Sequence, residues 1–176
     1  MRKSAWMLAT ISVSIASPAM AQGITLARGE EAVLEISDND LADAARGPTT
    51  ATPFELAVGR QLGGLKPPEA PVTEGKPMAR DSGLPDAPVP TAGEARFRFL
   101  PVADTGGSLL IIHNGYAKGL LYQARITSNG KTQPTDVCLV VPGKLGVEYW
   151  PYAIGAIEVS AFKLVDWKPE DGVPCK

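Results

Sequence analysis

The chain has 176 residues, with 17 basic and 19 acidic side chains, one histidine and two cysteines. This mildly acidic balance excludes a general nucleic-acid binder, which needs a basic face to displace counterions. A single histidine and no cysteine pair at metal spacing argue against a transition-metal site.

Arg2 and Lys3 precede an apolar stretch from Ala5 to Ala16, followed by Ser17-Pro18-Ala19-Met20-Ala21. Pro18 ends a helical run, and Ala19 and Ala21 supply the small-x-small pattern of a cleavage site. The sequence therefore predicts a signal peptide over residues 1–21, removed on export. The apolar stretch is too short to span a bilayer, which takes about 20 residues. No cysteine near the cleavage site offers a lipid anchor, and no twin arginine marks the folded-protein route. With Arg2 and Lys3 gone, 15 basic residues face 19 acidic ones, a formal charge of −4 on the mature chain. The expected location is periplasmic or secreted, without membrane insertion. In that oxidising setting Cys138 and Cys175 read as one disulfide.

Residues 22–37 are expected to form a β-hairpin joining a larger sheet system. Ile24-Thr25-Leu26 and Ala32–Ile36 flank a turn at Arg28-Gly29-Glu30, and Ala32, Leu34 and Ile36 alternate. Residues 38–93 read as a Pro/Gly-rich linker. Its second half, Lys66 to Ala92, holds too many prolines for a strand or helix. A short helix is predicted near 53–62: Thr52 as N-cap, Pro53 at the first helical position, Glu55 closing a capping box, and Gly63-Gly64 ending it. A further helical turn is predicted from Leu41 to Ala45.

Residues 94–176 read as the core of the domain, strand after strand. In Ala95–Leu100, Phe97 and Phe99 point one way and Arg96 and Arg98 the other. Leu109–Ile112 is a continuous apolar run, as in a central strand covered on both faces. Leu120–Thr127 alternates cleanly and runs into Asn129-Gly130, a tight-turn signal. Strands are also expected over Asp136–Val141, Val147–Trp150 and Ala156–Val165. The last changes phase between Ile157/Val159 and Phe162/Leu164, which predicts a bulge near Ser160-Ala161. The fold class is mainly β: a small antiparallel β-sandwich, immunoglobulin-like in topology, with a long Pro-rich insertion and one short helix.

Chemistry-bearing patterns are sparse, and neither a catalytic nor a metal-ligating set is assembled by spacing. His113 is the one histidine on which a small hydrolase could rest; its bland role is a partly exposed residue at a strand end. Gly106-Gly107-Ser108 lacks the lysine of a phosphate loop, and Asp38-Asn39-Asp40 lacks the later glycine and glutamate of a calcium loop. Glu148 and Glu158 are the carboxylates that strands would carry, a weak basis for a glycosidase pair. The densest cluster is Tyr149-Trp150-Pro151-Tyr152. An outward Trp150 with Tyr149 and Tyr152 would make a binding platform for a sugar or a protein, whereas an inward Trp150 would close the end of the sandwich.

The segments His113-Asn114-Gly115-Tyr116, Leu121–Ile126, Thr135-Asp136-Val137-Cys138, Pro142-Gly143 and Glu148-Tyr149-Trp150-Pro151 resemble uncharacterised exported proteins of Gram-negative bacteria. The resemblance covers about residues 108–165 and implies an exported single domain without a known activity. The expected role is non-enzymatic, without a cofactor: binding an unknown protein or glycan of the cell envelope. The competing expectations are a carbohydrate-binding module using exposed aromatics and the His113 hydrolase.

Overall fold

The computed structural model describes residues 23–37, 41–65 and 84–176. The expected signal peptide, Asp38-Asn39-Asp40 and most of the Pro-rich stretch lie outside them. Strands β1 (Gly23–Ala27), β2 (Glu30–Ile36) and β3 (Leu41–Pro48) precede helix α1 (Pro53–Leu62). They are followed by β4 (Ala95–Val102), β5 (Gly107–Asn114), β6 (Gly119–Ser128), β7 (Lys131–Thr135), β8 (Leu145–Trp150) and β9 (Ala156–Val165). The strands form two antiparallel sheets, ordered β1-β9-β6-β7 and β3-β2-β4-β5-β8. No helix among the described residues is long and apolar enough to cross a membrane.

The pairing of β5 with β8 and of β6 with β9 interlocks the two sheets. The same pairing joins B to E and C to F in an immunoglobulin sandwich. Here the strand beside β9 is β1, taken from the start of the chain rather than its end. Between the sheets, Phe97, Phe99, Leu110, Ile112, Leu120, Ile126, Ile157 and Val159 form the main core. Phe97 meets Tyr122 and Phe162 edge-on, with centroids 5.7 and 5.5 Å apart. The apolar run in β5 is covered on both faces, because Leu109 and Ile111 turn to a second cluster with Leu100, Val102 and Val58 of α1.

Local signals shape several elements directly. Thr52 Oγ1 accepts from Glu55 N, and the Glu55 carboxylate accepts from Thr52 N, so the capping box that starts α1 is complete. Asn129 and Gly130 both take positive φ, 51° and 73°, and join β6 to β7 with Ser128 opposite Lys131. The bulge in β9 falls at the expected place: the register against β6 shifts between Leu121 and Gln123, opposite Ser160–Lys163, and Ala161 has φ 53°. That extra residue lets Ile157, Val159, Phe162 and Leu164 all pack on one core.

Four expectations are corrected. β1 and β2 do not pair as a hairpin; the turn at Arg28-Gly29 carries the chain from one sheet to the other. Leu41–Ala45 is extended, not helical, because β3 completes its backbone bonding against β2. The linker reading of 38–93 therefore fails over 41–48, and α1 is docked on the five-stranded sheet. The strand expected at Asp136–Val141 begins earlier, as β7, directly after the Asn-Gly turn; beyond it only isolated bridges form, Leu120 with Val140 and Cys138 with Cys175. Pro134 is tolerated in β7 because that strand lies at a sheet edge.

Cys138 and Cys175 are bonded, across 37 residues of sequence. The C-terminal tail runs beside residues 137–139: Val137 N donates to Lys176 O at 2.8 Å, Lys176 N to Val137 O at 2.9 Å, and Leu139 N to Pro174 O at 2.9 Å. Exchange of both bonds between Val137 and Lys176 leaves Cys138 and Cys175 as the neighbouring non-hydrogen-bonded pair, where facing Cα atoms lie closest.

Candidate functional site

Parity along β8 separates the aromatic cluster instead of presenting it. Trp150 is only 7 % exposed and packs in the main core, where its Nε1 donates to Thr135 Oγ1 at 3.0 Å. Tyr149 lies on the opposite face, against the α1 cluster, and its hydroxyl donates to Thr105 Oγ1 at 3.3 Å. Of the three expected binding residues only Tyr152 is exposed. The platform of Tyr149, Trp150 and Tyr152 is therefore not formed. Trp150 closes the core because α1 already covers the other face of the sheet.

The two strand carboxylates are also apart. Glu158, on β9, lies half-exposed near Arg125 of the neighbouring strand. Glu148, on β8, points inward, and its Oε1 accepts from Cys138 N at 2.9 Å and from the Tyr122 hydroxyl at 3.3 Å. Burial raises the Glu148 carboxyl above its usual range, against the pull of those two hydrogen bonds. Burial likewise raises Tyr122, with the neighbouring Glu148 charge adding to it. The pair ties β6, β8 and the segment at Cys138 together.

The residues that the fold does bring together lie elsewhere, on the outer face of β2, β4 and β5. Arg98 is held from two sides. Its Nε donates to Glu55 Oε1 at 2.6 Å and its Nη2 to Glu55 Oε2 at 3.2 Å, while Nη1 pairs with Glu31. Nη2 also donates to Thr50 O at 2.8 Å. Glu55 is 1 % exposed and serves both as capping-box partner and as counter-ion. Arg96 bridges Glu31 and Glu94, at 3.3 Å each. Glu31 also accepts from Thr49 Oγ1 at 3.0 Å.

His113 stands directly across from Arg96 in the β4–β5 ladder. It is the next-to-last residue of β5 and half-buried, a partly exposed position near the strand end. Burial holds its imidazole below the usual value; Arg96 and Arg98 act in the same direction, and Glu55 and Glu31 oppose them. Nε2 has no hydrogen-bond partner among the described residues. The imidazole is thus neutral near pH 7, but the carboxylates near it are already engaged by arginines. Nothing in the sequence beyond the parity of Arg96, Arg98 and Glu31, and the capping-box position of Glu55, signals this cluster.

The segment His113–Tyr116 also has a structural reading. Asn114 is fully buried, and its Nδ2 donates to Lys118 O at 2.8 Å and Val140 O at 2.9 Å. A Cβ on Gly115 would lie 1.7 Å from Thr91 O, so only glycine fits there. The Tyr116 hydroxyl accepts from Ile36 N at 2.7 Å. Beside it, Glu35, Ile36, Ser37, Ala42, Gly93 and Tyr116 line an open depression of about 280 Å³. Ligand sites usually enclose roughly 300–1,000 Å³.

Among the described residues no group of three or more His, Cys, Asp or Glu side chains could hold a metal ion. No family model, curated protein or solved structure matches the chain.

Proposed function

We propose that the chain is an exported, non-enzymatic β-sandwich that acts by binding a protein or another component of the cell envelope through its surface. The observation that carries this reading is the ionic cluster on the outer sheet face. Its carboxylates and guanidinium groups are engaged with one another and hold α1 to the sheet. Such an arrangement serves packing, and among the described residues it leaves the carboxylates near His113 engaged by arginines. Export is supported by the N-terminal charge and small-residue pattern, by the pairing of the two cysteines, and by the resemblance to exported Gram-negative proteins. The glycan-binding alternative loses its main support with Trp150 inside the core. Crosslinking of the exported protein in its native envelope, followed by identification of the adducts, tests the reading. Discrete adducts absent from an unrelated exported control are expected. Adducts no more abundant than in that control contradict it.

A further inference from the structure

Among the described strands β8 lies at a sheet edge, bonded to β5 alone. Asn114 N donates to Lys144 O at 3.0 Å, one step beyond the facing pair His113 and Leu145. Bonded and non-bonded pairs alternate along an antiparallel ladder. Gly146, Glu148 and Trp150 therefore turn their backbone polar groups to β5, and Leu145, Val147 and Tyr149 turn theirs outward. Among the described residues no backbone hydrogen bond reaches those outward groups.

The other edges carry protection that β8 lacks. Along β1, the outward Thr25 carbonyl accepts from Arg46 Nη1 at 3.4 Å, and the outward Ala27 N donates to Glu30 Oε2 at 2.8 Å. β3 contains Arg46 and ends in Pro48. β7 contains Lys131 and Pro134. Charges, prolines and covered backbone groups are the usual means by which edge strands avoid pairing. β8 has no basic residue and no proline, and its one charge, Glu148, is turned inward to Cys138 and Tyr122. Val147 is 38 % exposed beside this open edge.

We infer that β8 pairs antiparallel with β8 of a second copy of this chain, about a two-fold axis at Val147. The edge is self-complementary. Val147 faces its own copy, Leu145 faces Tyr149, and Gly146 faces Glu148, so no like charges meet. Each facing pair among the outward residues exchanges two backbone bonds. Pro142 before the strand and Pro151 after it confine the contact to these few residues. So short an interface makes a weak dimer that depends on concentration.

Sedimentation across a wide concentration series tests the proposal on the purified wild-type protein. The expected mass rises from one chain toward two. Val147→Pro removes an outward N–H and leaves the bonds to β5 in place, and Val147→Lys sets two charges against each other; both are expected to remain single chains at every concentration. Hydrogen exchange on the wild type gives a reading independent of the variants' folding. The amides of Leu145, Val147 and Tyr149 should slow as concentration rises, and those of β7 should not. A wild type that stays a single chain, folded variants that dimerise equally, or concentration-dependent protection confined to another strand overturns it.

Discussion

Replacing both Cys138 and Cys175 by alanine removes the covalent tie between the C-terminal tail and the strand segment at 137–139. The bridge closes 37 residues of sequence separation. For a loop of that length the chain-entropy relation gives about 4 kcal/mol at 25 °C. A single domain commonly has a net stability of about 5–15 kcal/mol, so the loss is a large fraction of the whole. Three backbone bonds, from Val137, Leu139 and Lys176, remain possible without the bridge. So does the bond from Trp167 Nε1 to Gly172 O that anchors the approach to the tail. Urea unfolding of the oxidised wild type and the double variant, each extrapolated with its own slope, measures the difference. A loss of about 3–4 kcal/mol is expected, with faster exchange at the Val137, Leu139 and Lys176 amides. A loss below about 1 kcal/mol would show that the tail holds itself in place without the bridge.

The single histidine makes a second prediction simple to read, since its imidazole signal needs no assignment among others. Because burial lowers its pKa in the folded state, NMR titration should place the His113 midpoint below 6.5. Its contribution to stability is then present above pH 6.5 and declines as pH falls toward the folded-state value. A midpoint at or above 6.5 contradicts the placement. Trp150→Phe should cost about 1–3 kcal/mol through the lost Thr135 bond and reduced packing. In the wild type, envelope glycans should leave the emission of Trp150 unchanged, and glycan-dependent quenching that disappears in this variant would restore the carbohydrate-binding reading. Gly115→Ala should unfold the domain or greatly weaken it, because Thr91 and Glu94 carbonyl oxygens already occupy the space of a Cβ. A variant of wild-type stability by thermal unfolding would show that this approach is not as close as described.

Where the sequence and the structure agree, local chemistry decides the conformation. The capping box of Thr52 and Glu55, the Asn129-Gly130 turn, the alternation in β6 and the phase change in β9 each act over a few residues. The two-sided burial of Leu109–Ile112 was also legible, since no polar residue interrupts the run. The disagreements arise where distant pairing decides. Ala42–Ala45 favours helix locally, yet β2 draws it into the sheet. β7 is polar and contains a proline, so it lacks the apolar pattern of a strand, but the tight turn places it against β6. Periodicity assigned β1 and β2 correctly as strands and could not tell that they join different sheets. It also placed Tyr149 and Trp150 on opposite faces without showing which face was core. That depended on α1, whose docking rests on Arg98 and Glu55, 43 residues apart in sequence.

That contact decides whether the ionic cluster serves structure, as the proposed function requires, rather than catalysis. Glu55→Gln keeps an oxygen for the capping box while removing the charge that faces Arg98. Combined with Arg98→Met in a double-mutant cycle, it isolates the pair by urea unfolding. A coupling energy of about 2–3 kcal/mol is expected, as for a largely buried, bidentate ion pair whose arginine keeps a second partner. A coupling energy near zero, with α1 still docked, would contradict that structural role.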